Sequence, residues 1–117
     1  MMDMMVDIET MSKDLDGVIC SIGACKFDRH SDAIDQETFY RNVSIQSCLD
    51  IGLRIDGETL TWWMGQSDSA RNALFNPAPI RIGEALLELR RYYSGCRYAW
   101  SHGVGFDVVM LQNAYAK

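Results

Sequence analysis

The stretch Met4-Met5-Val6-Asp7-Ile8-Glu9-Thr10 decides the fold, because it predicts a core strand that ends in two carboxylates. Residues i and i+2 of a strand point to the same face, so Asp7 and Glu9 should project together. Neighbouring acids are costly to bury unless a partner neutralises them, and a divalent cation with oxygen ligands is the usual partner. The spacing alone favours a metal site and a solvated strand end equally.

The composition is that of an ordinary globular domain. The 117 residues are 48% hydrophobic and 23% charged, with a formal net charge of -5, and they predict a single domain over residues 1–117. The negative charge argues against non-specific binding to a phosphate backbone, although carboxylates that hold a metal would contribute to it. No apolar stretch is long enough to span a membrane and no signal peptide is recognisable, so we expect a cytoplasmic protein.

The hydrophobic pattern predicts three strands, then helices, then a strand and a final helix. The strands are expected over 3–8, 18–27, 37–43 and 98–101, and the helices over 56–66, 67–75, 82–93 and 106–116. Short connections between the first three strands favour an antiparallel meander. A long helical crossover precedes the fourth strand, which should therefore lie parallel to a partner in the same sheet. The result is an α/β fold, a mixed sheet with flanking helices.

Asp107 is a third candidate ligand, because it follows the last strand and a glycine-containing loop at the start of a helix. Ligands of open α/β sheets usually bind at the carboxyl ends of the strands. If the last strand lies beside the first and parallel to it, Asp107 approaches Asp7 and Glu9. Three carboxylates would then seat one or two Mg²⁺ or Mn²⁺ ions. An acidic helix N-terminus is the alternative interpretation and, for Asp107 by itself, the more common one.

Several segments in order resemble the DEDD (DnaQ-like) 3′–5′ exonuclease superfamily. Asp7-Ile8-Glu9-Thr10 resembles its first motif, Ser21-Ile22-Gly23-Ala24 its following strand, and His102-Gly103-Val104-Gly105-Phe106-Asp107 its second motif. Tyr40-Arg41-Asn42-Val43 and Trp62-Trp63-Met64 are similar to segments of phage and prophage members. The resemblance implies an RNase H-like sheet of three antiparallel strands followed by a parallel strand.

The resemblance also implies roles for particular residues. Asp7 would bind or bridge two metal ions, Glu9 would bind the ion that holds the nucleophilic water, and Asp107 would bind the second ion. The substrate would be the 3′ end of single-stranded or overhanging DNA or RNA, and the reaction would be phosphodiester hydrolysis by a two-metal mechanism. The residues implied in substrate binding are Thr10, Met11, His102 and Phe106.

The third motif of the superfamily, a His general base followed by an Asp, has no counterpart in this sequence. No His or Asp follows Asp107, His102 precedes it in the position of a loop residue, and His30 lies in a polar loop. We therefore expect a C-terminally incomplete fold and an impaired exonuclease. An apolar sheet face without its helix would favour a homodimer. The alternative is a non-catalytic remnant that binds nucleic acid or protein.

Trp62 and Trp63 are the most prominent aromatic pair in the chain. They could stack on bases, as aromatic side chains do in single-strand binders. Adjacent positions on a helix face different directions, however, so we expect one ring in the core and the other half exposed.

Overall fold

The computed structural model describes residues 2–75, 78–101 and 106–117, with Phe106 described by its backbone alone. Within these ranges, no helix is long and apolar enough to cross a membrane. The elements in chain order are β1 (Asp3–Thr10), β2 (Ile19–Phe27), β3 (Phe39–Asn42), α1 (Ile45–Asp50), α2 (Gly57–Met64), α3 (Asp68–Leu74), α4 (Ile82–Tyr93), β4 (Ala99–Ser101) and α5 (Phe106–Ala116).

The strands form one mixed sheet in the order β3-β2-β1-β4. β2 pairs antiparallel with both β1 and β3, whereas β4 lies parallel to β1. This confirms the predicted α/β fold with three antiparallel strands and a parallel fourth, and it is consistent with an RNase H-like fold. The described part of β4 ends opposite Val6, and β1 continues past that point to Thr10. The end of β1 that carries the carboxylates therefore extends beyond its parallel neighbour.

Strict alternation along β1 separates the two faces of the sheet. Met4, Val6 and Ile8 are buried and belong to a core that includes Leu89 of α4 and Leu111 of α5. Met5, Asp7 and Glu9 are exposed on the opposite face. The apolar face is thus covered by helices, and the carboxylates lie on the other face, as their spacing predicts.

The helices begin and pack for recognisable local reasons. Ile82, Ala85, Leu86 and Leu89 form the buried stripe of α4, at the i, i+3, i+4 and i+7 positions of an amphipathic helix. The side chains of Ser44, Asp56 and Ser67 each accept a hydrogen bond from the backbone N–H three residues later, and so cap α1, α2 and α3.

The structure corrects two expectations about the segment after β2. The third strand is shorter than predicted, since β3 covers Phe39–Asn42 only. The helix α1 (Ile45–Asp50) was not predicted, because its apolar residues form no long periodic stripe. Its strongest sequence signal is the N-cap Ser44, whose side chain accepts from Ser47 N.

Candidate active site

Asp107 is tied directly to the strand segment that carries the other two carboxylates. It lies in the first turn of α5, and its Oδ2 accepts a hydrogen bond of 3.0 Å from the backbone N–H of Ile8. Ile8 stands between Asp7 and Glu9. The described part of β4 pairs with β1 as far as Val6, and two residues further along β1 the N–H of Ile8 is bonded by a side chain instead. The parallel arrangement predicted from the crossover therefore brings the three carboxylates into one region.

The pKa of Glu9 also reflects the proximity of the three carboxylates. Partial burial raises the pKa of Glu9 above its ordinary value, and repulsion from Asp7 and then from Asp107 adds to the increase. Such an arrangement favours protonation of Glu9 or a neighbouring cation. Mutual repulsion among carboxylates is the electrostatic condition that a bound divalent cation relieves.

Two cavities meet at Glu9. The first has a volume of about 250 Å³ and opens over the sheet, where Asp7, Ser21, Gly23 and Tyr40 form its floor beside Glu9. Side chains of α2 and α3 form its wall, namely Trp63, Ala70, Ala73 and Leu74. The second has a volume of about 540 Å³ and lies towards the start of α2, lined by Ile8, Glu9, Thr10, Ser12, Lys13, Glu58, Thr59, Trp62 and Trp63.

Trp63 lines both cavities and holds α2 to β1, and its neighbour Trp62 lines the larger cavity. Trp63 is only 8% exposed, whereas Trp62 is 58% exposed, which confirms that one ring is core and the other is accessible. The indole Nε1 of Trp63 donates a 3.0 Å hydrogen bond to the carbonyl oxygen of Thr10. The two rings meet edge to face, with centroids 5.0 Å apart. Trp63 is thus a fixed wall next to the carboxylates, and it supports the exposed ring of Trp62.

The substrate-binding residues implied by the resemblance have different outcomes. Thr10 lines the larger cavity, and its hydroxyl donates to the carbonyl oxygen of Ser12. Met11 is 0% exposed, so its side chain is part of the core and does not line either cavity. His102 and the side chain of Phe106 lie outside the described residues. The structure adds Ser21, Gly23 and Tyr40 to the lining of the smaller cavity and Trp62 to that of the larger one. Ser21 and Gly23 reach the site because they pair in register with Glu9 and Asp7.

The donor set fits a hard divalent cation in kind, since all three candidate ligands are carboxylates. In the geometry shown, the carboxylate of Asp107 is engaged with the backbone of Ile8. Across the described ranges, no three His, Cys, Asp or Glu side chains are clustered closely enough to form a ready-made metal site. The carboxylates are therefore in the same region without forming a closed coordination sphere.

A family model for the 3′-5′ exoribonuclease Rv2179c-like domain matches residues 2–117. The chain belongs to this family. Membership supports 3′–5′ exonuclease activity and implies a nucleic-acid substrate, in agreement with carboxylates at the open end of the sheet. Comparisons with curated proteins and with solved structures gave no match.

Proposed function

We propose that this Rv2179c-like domain is a divalent-metal-dependent 3′–5′ exonuclease of the DEDD (DnaQ-like) type that acts on RNA. The observation that carries the proposal is the contact of Asp107 with the Ile8 backbone, between Asp7 and Glu9. The family description names an exoribonuclease, which supports RNA over DNA as the substrate. The relationship to phage members, a cytoplasmic location and the impaired activity expected without a third motif stay predictions.

Asp7, Glu9 and Asp107 are the residues that would hold Mg²⁺ or Mn²⁺, with two ions in a complete site. Bound ions would supply an activated water and neutralise charge on the attacking and leaving oxygens. The raised pKa of Glu9 supports this assignment, because its causes include the two other carboxylates. A cation between them would replace repulsion by attraction.

The larger cavity is a suitable binding site for the 3′-terminal nucleotide. Its volume of about 540 Å³ lies within the range of small-ligand sites, and Glu9 forms part of its lining. The exposed Trp62 offers a flat ring to a base, and base–aromatic stacking is tolerant of sequence. Thr10 and Thr59 donate their hydroxyl protons to Ser12 O and Asp56 Oδ2, so their oxygens are available as acceptors near the carboxylate end. We propose that this arrangement holds the terminal nucleotide while its phosphodiester lies over Asp7 and Glu9.

A second candidate function is a non-catalytic nucleic-acid-binding domain. Two observations favour it: the Asp107 carboxylate is occupied by the Ile8 N–H, and the described residues contain no ready-made three-ligand metal cluster. In this alternative, Asp107 acts as a structural tie and the exposed carboxylates have no cation partner.

Hydrolysis of end-labelled oligonucleotides tests the enzyme proposal. A 5′-labelled single-stranded RNA and its DNA counterpart are incubated with Mn²⁺ and the wild-type chain, Asp7→Asn or the control Asp32→Asn. Asp32 is an exposed acid in the loop between β2 and β3, so the control makes the same change away from the site. We expect a ladder that shortens from the 3′ end with wild type and control, and none with Asp7→Asn. Equal background rates for all three proteins would reject the enzyme.

Metal binding separates the two candidate functions without relying on turnover. A ligand that binds only the folded state raises the melting temperature as its concentration increases. Mn²⁺ should therefore stabilise the wild type and Asp32→Asn but not Asp7→Asn. The same small response in all three would favour the non-catalytic domain.

A further inference from the structure

A second polar cluster lies on the face of the sheet that carries Asp7 and Glu9, at the opposite end of β1. Its centre is Asp3, which is 0% exposed although it is a carboxylate. The guanidinium groups of two arginines approach it, with Arg29 Nε 3.9 Å from Oδ2 and Arg97 Nε 3.7 Å from Oδ1. Trp100 Nε1 donates a 2.9 Å hydrogen bond to Oδ2.

The two arginines are also held by one aromatic ring. The guanidinium carbons of Arg29 and Arg97 lie 5.1 and 5.4 Å from the centroid of the Tyr98 ring. Both distances are within the range of cation–π attraction. The rings of Tyr98 and Trp100 are nevertheless nearly half exposed. The cluster therefore fixes its cations while leaving aromatic surface accessible to solvent.

The cluster has more positive than negative charge. Two guanidinium groups face a single carboxylate, in a chain whose formal net charge is -5. Both guanidinium groups approach Asp3 through Nε, and Arg29 Nε also donates a 3.4 Å hydrogen bond to His30 Nε2, so these contacts leave the terminal Nη nitrogens unused. Oδ1 of Asp3 is buried without a hydrogen bond. Two forked donors thus remain available to an anion, and guanidinium geometry matches the oxygens of a phosphate.

The path from this cluster to the carboxylates is free of acidic side chains on the paired strands. Asp3 and Asp7 are separated by about 13 Å along β1, at roughly 3.3 Å per residue. The intervening positions on this face carry Met5, with Cys25 and Gly23 opposite on β2. None of the three is charged. Along these paired positions of β1 and β2, a polyanion that starts at the carboxylates would meet no like charge before it reaches the arginines.

We propose that Arg29, Arg97, Tyr98 and Trp100 bind the RNA strand upstream of its 3′ end. The guanidinium groups contact backbone phosphates, and the exposed rings stack on bases. This inference rests on the proposed function for the position of the 3′ end. A distance of about 13 Å corresponds to about four nucleotides of a stacked strand, at 3.4 Å each. The site therefore contributes to oligonucleotides longer than this and not to dinucleotides.

Binding without cleavage tests the proposal. Fluorescence anisotropy in EDTA measures the affinity of labelled oligouridylates of two and eight nucleotides for the wild type, Arg29→Gln, Arg97→Gln and the control Arg91→Gln. Arg91 is an exposed arginine near the end of α4, so the control changes the net charge equally. Each test variant leaves one guanidinium to neutralise Asp3, and thermal melts check that it folds.

The expected result depends on strand length. Loss of one charge-assisted hydrogen-bonded contact should weaken octanucleotide binding about tenfold. It should also reduce the slope of log K against log salt by about 0.7. Dinucleotide binding should not change. If Arg97→Gln melts early, Arg29→Gln carries the same comparison. Arg97→Lys keeps the positive charge, so it should leave the salt slope unchanged and weaken octanucleotide binding only through the loss of the forked donors.

Equal octanucleotide affinities for the arginine variants and Arg91→Gln would overturn the proposal, as would no binding by the wild type. The result is separable from the proposed catalysis. Arginine-dependent binding without hydrolysis would support this site and reject the enzyme, whereas hydrolysis with unchanged binding would reject this site alone.

Discussion

Substitution of Asp107 separates a structural role from a ligand role. Its Oδ2 accepts a 3.0 Å hydrogen bond from the Ile8 N–H and so joins α5 to β1. Asn retains an oxygen that can accept this bond but lacks the negative charge that a metal requires. Ala retains neither. We therefore expect Asp107→Asn to fold nearly as well as the wild type and Asp107→Ala to fold less well.

The size of the difference follows from the contact. A hydrogen bond to a charged group contributes about 1.5–3 kcal/mol, and partial exposure favours the lower end, about 1.5 kcal/mol. A domain of 117 residues has an unfolding entropy of about 250 cal/mol/K, so each kcal/mol shifts the melting temperature by about 4 °C. Asp107→Ala should melt about 6 °C below the wild type, and Asp107→Asn within about 2 °C of it.

Thermal denaturation in EDTA and hydrolysis of labelled RNA with Mn²⁺ make up the assay. Both variants should lose at least about 100-fold in hydrolysis rate. Mutation of a residue that only hydrogen-bonds to a metal ligand costs up to about 100-fold, and loss of the ligand itself should cost no less. Wild-type activity in Asp107→Asn would refute a ligand role for this carboxylate. Equal melting temperatures for Asp107→Ala and the wild type would refute its role as a tie.

The other predictions concern Glu9, Trp63 and assembly. Glu9→Gln should raise the free energy of unfolding at neutral pH, because the pKa of Glu9 is raised above 4.5 in the folded state and its ionised form opposes folding. This gain in stability should shrink as the pH falls through the raised pKa of Glu9, and it should vanish below pH 4.5. Thermal melts of Glu9→Gln and the wild type between pH 8 and 4 test this, and a stability difference that stays constant with pH would contradict it. Trp63→Phe removes the donor to the Thr10 carbonyl and should cost about 1 kcal/mol in urea denaturation, with a higher KM for RNA; an unchanged midpoint would show that the bond contributes nothing. The predicted homodimer would have twice the chain mass by light scattering at micromolar concentration, but α4 and α5 cover the apolar sheet face that was expected to drive it. A clean monomer would exclude the homodimer.

Local sequence patterns predicted the elements that position the site. The alternation of Met4, Val6 and Ile8 with Asp7 and Glu9 predicted both faces of β1, because successive side chains of a strand point to opposite sides. The stripe on α4 predicted its buried side in the same way. The parallel orientation of β4 followed from the length of its crossover. These are properties of neighbouring residues or of chain connectivity, which the sequence contains directly.

Other features depend on residues that are distant in the chain. The sequence indicated that one of Trp62 and Trp63 is buried, but the bond to the Thr10 carbonyl selects Trp63. Met11 follows the first motif as a substrate contact would, yet the core encloses it. The cluster around Asp3 joins Arg29 after β2 to Arg97 and Trp100 near β4, and no spacing in the sequence indicates it.

The sequence by itself thus determined the α/β class, the paired carboxylates on one face and the family resemblance. Only the tertiary structure decided that Asp107 bonds to Ile8, which of the neighbouring side chains line the cavities, and that two arginines share one buried acid. The physical reason is the separation along the chain of the residues that interact. Periodicity acts between residues a few positions apart, whereas these contacts form only when the sheet brings together β1 and the segments around β4 and α5.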